Sequence, residues 1–305
     1  MSICILCGSE RAAPLWTISR FKRPFDVHRC PACGLIFMHP IPGAEELAGI
    51  YSEEYYTASA GEKHYTYLDE RKNPRGHRAV NRARLKRALR EIRKTFPSSD
   101  PPNFLDVGCS FGALVQEANA LGCRGCGIDI SAYAAEHAQS EGLDVRRADP
   151  VNIPDFGVQP GFHIVSMIEV IEHLPEPRAA LSAIARVMAP EGLLILQTAN
   201  MDGRQARKAG PEYHYYLPGH LYYFSRKTLT RLLEECGFEK IKAFSPCEFG
   251  LLPKLKKSRG TFESARGYLR WFAIAWYHAK SKFHWGNFAL TSGMVLYARR
   301  KRGEL

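Results

Sequence analysis

The stretch 103–131, NFLDVGCSFGALVQEANALGCRGCGIDIS, constrains the fold more than any other part of the chain. Residues 103–107 are a short, largely apolar run that reads as a buried strand. Gly108-Cys109-Ser110-Phe111-Gly112 follows as a tight turn. Residues 113–121 place apolar side chains at helical spacing, and Gly122 suits the end of that helix. Residues 125–130 read as a second strand that carries Asp129 near its end. Strand, helix and strand in this order make a βαβ unit, which closes right-handed and pairs its strands in parallel. Gly108 and Gly112 let a ligand come close to the backbone. Asp129 lies about 20 residues beyond the turn, where a carboxylate can accept both hydroxyls of a ribose.

The turn reads D-x-G-x-x-x-G and so departs from the dinucleotide fingerprint. Asp106, just ahead of Gly108, would repel a pyrophosphate but can receive the ammonium group of an amino acid. Here the chain resembles the class I S-adenosylmethionine (SAM) methyltransferases, whose first motif is usually D-x-G-C-G-x-G; Ser110 stands at the middle glycine. A second block, FHIVSMIEVIEHLPEPRAALSAIARVMAPEGLLILQTAN from Phe162, is similar to the same family, with His163 where an aspartate is usual. The resemblance implies an α/β fold, doubly wound and Rossmann-like, with a seven-stranded, mostly parallel sheet. It implies SAM as cofactor, with Asp106, Gly108 and Gly112 at its methionine end, Asp129 at its ribose and Asp149 at its adenine. Met167 and Ile168 would flank the adenine, and Cys109 and Ile130 count with the cofactor-binding residues.

Cys4-Ile5-Leu6-Cys7-Gly8 and Cys30-Pro31-Ala32-Cys33-Gly34 form two matching knuckles. Each turns two thiolates toward one point, and four sulfurs suit tetrahedral zinc. Cys4, Cys7, Cys30 and Cys33 therefore predict a closed, structural zinc site. Residues 25–29 and 34–38 read as its ribbon strands. A module this small has too little core to fold unaided, and zinc supplies on the order of 10 kcal/mol. The arrangement resembles the zinc-ribbon leader of many bacterial methyltransferases, sugar C-methyltransferases among them. The expected organisation is a ribbon at 1–43, a linker with basic helices at 44–100, and a methyltransferase domain at 101–305 with an insertion at 251–287. A short helix and an aromatic linker are expected over 44–56. Cys123 and Cys126 make a third CxxC without a second pair, and they read as packing residues, as do the isolated Cys109, Cys236 and Cys247.

The net charge of +11 admits a polyanion or an anionic membrane face as partner but says nothing of chemistry. Nine cysteines without an export signal argue for thiols or metal rather than disulfides, and for a cytoplasmic protein. No apolar run reaches the length of a membrane span. The run 71–94 is dense in arginine and lysine with one apolar face. It reads as a solvated helix over the sheet edge, or as a phosphate-binding face. The insertion combines a basic cluster, opening at Lys254, with an aromatic helix. It reads as core packing or a lid, and peripheral membrane contact is the alternative.

Methyl transfer from a sulfonium is a displacement in which alignment does most of the work, with a base beside any nucleophile that holds a proton. The catalytic candidates are Glu169, Glu172, His173, His220 and Tyr222. Glu169, Glu172 and His173 form an E-x-x-E-H pattern, and i and i+3 share a face if that turn is helical. Similarity to ubiquinone O-methyltransferases and small-RNA 2′-O-methyltransferases implies a second divalent metal at Glu169, Glu172, His173 and His220. A general base or a structural role are the other readings. The expected function is methylation of a small-molecule acceptor, a sugar or sugar-nucleotide by analogy with the zinc-leader relatives. Two alternatives stand beside it: an RNA methyltransferase whose ribbon and basic helix hold RNA, and a non-catalytic SAM-binding protein.

Overall fold

The structure, a computed structural model, describes residues 3–43, 45–47, 74–97, 100–245, 250–258, 265–286 and 288–303. The linker expected at 48–56, Cys247 and Arg259 lie outside these residues. The chain begins with three strands, β1 (Ala13–Ile18), β2 (Phe25–Arg29) and β3 (Ile36–His39), and a long helix, α1 (Pro74–Ile92). The expected βαβ unit follows as β4 (Asn103–Val107), α2 (Ala113–Ala120) and β5 (Arg124–Asp129). Then come α3 (Ala132–Ser140), β6 (Asp144–Arg147), β7 (Phe162–Ile168), α4 (Pro177–Val187), β8 (Met188–Ala199) and α5 (Arg204–Ala209). The remainder is β9 (Tyr222–Tyr223), α6 (Arg226–Glu235), β10 (Phe238–Phe244), α7 (Leu251–Ser258), α8 (Ala265–Ser281), the short strands β11 (His284–Trp285) and β12 (Phe288–Ala289), and β13 (Gly293–Arg300).

Seven strands form one sheet in the order β10-β13-β8-β7-β4-β5-β6, and only β13 runs against its neighbours. This is the expected mostly parallel, doubly wound sheet. Strand β4 is buried at every position because it pairs on both sides and is covered on both faces. The chain order reverses between β4 and β7, and ligands of such sheets bind beyond the strand ends at that point. Register places Asp106 between Gly127 of β5 and Ser166 of β7, two residues short of the turn at that crevice.

The N-terminal strands form a second sheet, β1-β2-β3-β9. Its last member comes from the body of the protein: Ile36 pairs with Tyr223 and Phe37 with Tyr222. Leu35, Phe37 and Met38 are buried in the same core cluster as Leu229, Leu232 and Leu233 of α6. The ribbon thus completes its core by sharing one, as a module of this size must. Each knuckle closes with a backbone bond, Gly8 N–H to Cys4 C=O and Gly34 N–H to Cys30 C=O, both 2.8 Å.

Helix α1 turns Leu85, Ala88, Leu89 and Ile92 into a second core cluster with Phe104, Ile164 and Ile195. It therefore covers a face of the sheet rather than its edge. Part of its basic surface is engaged internally. Arg78 and Arg82 each meet the buried Glu117 at 2.8 Å, Arg84 donates to Gln197, and the Arg87 guanidinium lies 4.2 Å from the Phe244 ring centroid. His163, the residue that departs from the family pattern, accepts the Asn103 N–H at 3.0 Å and packs edge-on against Phe96. Cys123 and Cys126 are packing residues, and burial pushes their thiols up to about 11 and about 12.

Candidate active site

The turn after β4 is built as the sequence requires. Gly108 and Gly112 adopt φ +72° and +77°, and Ser110 adopts φ +49°. A Cβ on Gly108 would lie 2.3 Å from Cγ2 of Val170, and one on Gly112 would lie 2.5 Å from Leu143. The middle position needs a small residue in the left-handed region, and serine meets the size requirement at a modest conformational cost. Cys109 turns its side chain inward, where a Cβ on Gly127 would meet its sulfur at 2.7 Å, so it shapes the loop from beneath. Gly108→Ala is expected to displace Val170 and to cost about 1–3 kcal/mol, read as a lower midpoint of thermal unfolding. An unchanged midpoint would show that the crowding at Gly108 carries no energy.

Two carboxylates frame this loop. Asp129 accepts the Ser110 N–H at 2.8 Å on one oxygen and the Ser131 N–H at 2.9 Å on the other. Asp106, also buried, accepts the Ser166 hydroxyl at 2.6 Å. Ser131 caps α3, its hydroxyl accepting the Ala134 N–H. Ala148 N–H bonds Asp129 C=O at 3.0 Å, which draws the loop after β6 toward that after β5. Asp149 follows as an exposed turn residue whose carboxylate accepts the Val151 N–H at 2.8 Å. Ile130 is 53% exposed, an unusual place for a large apolar side chain beside a buried acid. Met167 is fully buried in the main core, and Ile168, half-buried, packs on the second cluster beside α1.

A second group gathers beyond β7. Glu169 has φ +54°, and its N–H bonds Gln197 C=O at 2.9 Å. Residues Ile171–His173 form a single 3-10 turn. The Leu221 N–H bonds Glu172 C=O at 2.7 Å, which sets the 213–221 loop over that turn. His173 bonds Gly219 C=O at 3.0 Å through Nδ1, and His220 bonds Tyr215 C=O at 2.8 Å likewise. A carbonyl accepts only, so each imidazole donates from Nδ1 and presents Nε2 as a lone pair. Ligand atoms of Glu172, His173 and His220 all lie within 4.8 Å of one another.

Tyr215, which the sequence reading did not select, is the hub of this group. Its hydroxyl meets Glu172, lies 2.8 Å from Glu169 and lies 3.0 Å from the Thr198 hydroxyl. Glu169 also accepts from Gln197 at 2.8 Å, so it holds Tyr215 and stands outside the trio expected to include it. Tyr222, expected as catalytic, is committed elsewhere. Its ring lies in the core shared with the ribbon, and its hydroxyl donates to Pro175 C=O at 3.1 Å. The nearby run Tyr213-His214-Tyr215-Tyr216 was the available signal, but it has no periodicity that singles out one tyrosine.

Burial dominates the electrostatics here. It pushes the Glu172 carboxyl well up, with the Glu169 charge adding to it. It pulls His173 down to about 4 and His220 well below the usual imidazole range. Both histidines are therefore neutral near pH 7. Glu172 Oε2 is buried without a hydrogen-bond partner among the described residues, an arrangement that costs free energy unless a further group is bound there.

In the ribbon, Cys4 and Cys33 bring their sulfurs to 3.5 Å, as do Cys7 and Cys30. All four sulfurs lie within 4.8 Å of one another. A tetrahedron with Zn–S bonds of about 2.3 Å needs sulfurs about 3.8 Å apart, so the four thiols fit zinc.

The sheet order, the glycine turn at its switch point and the acid closing the next strand are those of the class I SAM-dependent methyltransferase fold. A sequence model described as a methyltransferase domain matches residues 79–243, and the chain belongs to that family. It is 34% identical over 103 residues to a ubiquinone biosynthesis O-methyltransferase of Methylococcus capsulatus, covering 32% of this chain and 43% of the relative. The corresponding protein of Thiobacillus denitrificans is 30% identical over 148 residues, covering 44% and 63%. The chain thus spans roughly half the length of the curated relatives it matches. Among solved structures, a SAM-dependent methyltransferase from Archaeoglobus fulgidus superposes with a TM-score of 0.51 at 20% identity, covering 78% of this chain and all of the other. The plantazolicin methyltransferase BamL, solved with a desmethyl substrate analogue and S-adenosylhomocysteine, gives 0.52 at 13%, covering 84% and 97%. These two likenesses concern the fold.

Proposed function

We propose that the chain transfers the methyl group of SAM to a hydroxyl of a small molecule, and that Glu172, His173 and His220 address that hydroxyl. The observation that carries this reading is the trio itself: Glu172, with a carboxylate oxygen that has no hydrogen-bond partner among the described residues, and two imidazoles whose Nδ1 atoms are engaged by backbone carbonyls, ligand atoms of all three lying within 4.8 Å of one another. Backbone carbonyls behind both imidazoles are the support that metal-bound histidines receive. One carboxylate and two imidazoles suit a divalent cation such as magnesium or zinc. Such a cation would lower the pKa of a bound hydroxyl. Glu172, its pKa raised by burial, also answers the description of a general base, and this is the second reading. The sugar or sugar-nucleotide class of acceptor rests on the resemblance of the ribbon leader.

The donor side of the reading rests on the turn. Asp129 is oriented by two backbone N–H groups and suits the ribose hydroxyls. Asp106, Gly108 and Gly112 suit the methionine end, and Ile130, with Asp149, the adenine. Asp129→Ala is expected to weaken SAM binding by about 1.5–3 kcal/mol, or about 10- to 150-fold, by calorimetry. Unchanged affinity would remove Asp129 from the donor site. The RNA reading asks α1 for a phosphate-binding face, but Arg78, Arg82, Arg84 and Arg87 already have partners inside the protein. The deciding experiment is transfer of labelled methyl from SAM into fractionated extract. Label in small molecules supports the proposal, label in RNA overturns it, and no label with any fraction leaves a non-catalytic SAM-binding protein.

A further inference from the structure

Helix α8 has two unlike faces. Ile274, Tyr277 and His278 turn inward, and Lys254 of α7 lies 5.9 Å from the Tyr277 ring centroid. Outward stand Leu269, Phe272 and Trp276, 70%, 70% and 63% exposed, spaced i, i+3 and i+7 along one stripe. Phe283, just past the helix, and Leu252 of α7 are each 67% exposed. Large apolar side chains standing in water along one stripe of a helix mark a surface meant to be covered. The stretch is basic in sequence: residues 250–286 hold eight lysines and arginines against one acid, Glu263, and of the cations Lys254, Lys280 and Lys282 have described side chains. Lys280 lies 5.0 Å from the Trp276 ring centroid, so cation and aromatic occupy one spot on the surface. No helix among the described residues is long and apolar enough to cross a membrane.

We propose that α7 and α8 form a membrane-interface anchor, which lays the Leu269–Phe272–Trp276 stripe into an anionic lipid surface. An amphipathic helix with aromatic and aliphatic residues on one side and lysines beside them is the form that lies in the headgroup region. Each lysine or arginine near an anionic leaflet contributes about 1 kcal/mol. A second copy of the chain is a poorer cover. A two-fold contact sets the same patch against itself and would bring the two basic rims together. The anchor is tied to the catalytic side of the protein: α7 packs on α1, whose Arg84 donates to Gln197, and Gln197 donates to Glu169. An acceptor held at a lipid surface would thus meet an enzyme resting on it.

The test is flotation of the full chain with vesicles at about 0.1 M salt, an ionic strength at which the Debye length is about 10 Å. Vesicles of phosphatidylglycerol with phosphatidylcholine are compared with phosphatidylcholine alone. The expected result is at least tenfold stronger association with the anionic vesicles, reduced at least tenfold in Phe272→Ser/Trp276→Ser. Both substitutions are on the surface, so the variant should keep its thermal midpoint and its SAM affinity. Absence of vesicle binding, equal binding to both compositions, or full binding by the double variant would each overturn the proposal. A dimer by light scattering that the double variant dissolves, without vesicle binding, would assign the face to a second copy and overturn it as well.

Discussion

Cys30→Ser is expected to lose the ribbon zinc and to destabilise far more than the ribbon. The four thiols converge within 4.8 Å, so removal of one breaks the tetrahedron. Structural zinc supplies apparent binding free energies on the order of 10 kcal/mol or more in small modules, while a whole domain is stable by about 5–15 kcal/mol. The ribbon is not a separable appendage. Its strand β3 pairs with β9, and its apolar residues share the core beneath α6. Strand β9 begins two residues after His220, so a loosened ribbon also loosens the loop that carries that imidazole. Metal analysis should give about one zinc for the native chain and none for Cys30→Ser, with a thermal midpoint lower by about 5–8 °C, as about 3–5 kcal/mol would produce in a chain of 305 residues. Cys123→Ser, which alters a packing thiol, should keep its zinc. Zinc retained by Cys30→Ser, or lost from Cys123→Ser alone, would overturn the assignment.

Glu172→Gln and His220→Ala are expected to keep SAM binding and to lose about 10²- to 10⁴-fold in turnover, the range for removal of a group that takes or holds a proton in the transition state. Glu172 is fully buried, with one oxygen on Tyr215 and the other unpartnered among the described residues, so the glutamine keeps the shape and removes the group that can take a proton or hold a cation. Neither side chain belongs to the turn around Gly108 or to the Asp129 cradle, and SAM affinity should be within about twofold of native. Tyr215→Phe should fall in the same direction by a smaller factor, since it only orients the two carboxyls. Chelation separates the two forms of the proposal. Activity lost on chelation and restored by magnesium, with ribbon zinc intact by metal analysis, supports the cation. Chelator-insensitive activity with both substitutions damaging supports Glu172 as base. Near-native turnover in both variants would remove the trio from the reaction.

The central βαβ unit was legible because its signals are local: an apolar run, a glycine turn, a helical period and an acid at the next strand end all fall within 103–131. Strands β1 and β9 were not. Strand β1 carries mostly exposed residues, so it has little apolar alternation to show. Strand β9 is two residues long, and its partner β3 lies far away in the chain. That hidden pairing also explains the choice of Tyr222, which stands close to His220 in sequence but enters the core shared with the ribbon. Tyr215 reaches the site only because the 213–221 loop is tied down by Leu221 N–H on Glu172 C=O, a contact between residues far apart in sequence. Met167 looked like a ligand contact from its place near a strand end. The alternation of side chains along β7 turns it into the core instead.

The most direct test of the central claim is methyl transfer itself: labelled SAM, the full chain, and separated small-molecule and RNA fractions of a cell extract. Label is expected in a small molecule, sharply reduced with Asp129→Ala at low SAM and lower by about 10²- to 10⁴-fold with Glu172→Gln at any SAM concentration. Label in RNA, or transfer to a small molecule that both variants support at the native rate, would contradict it.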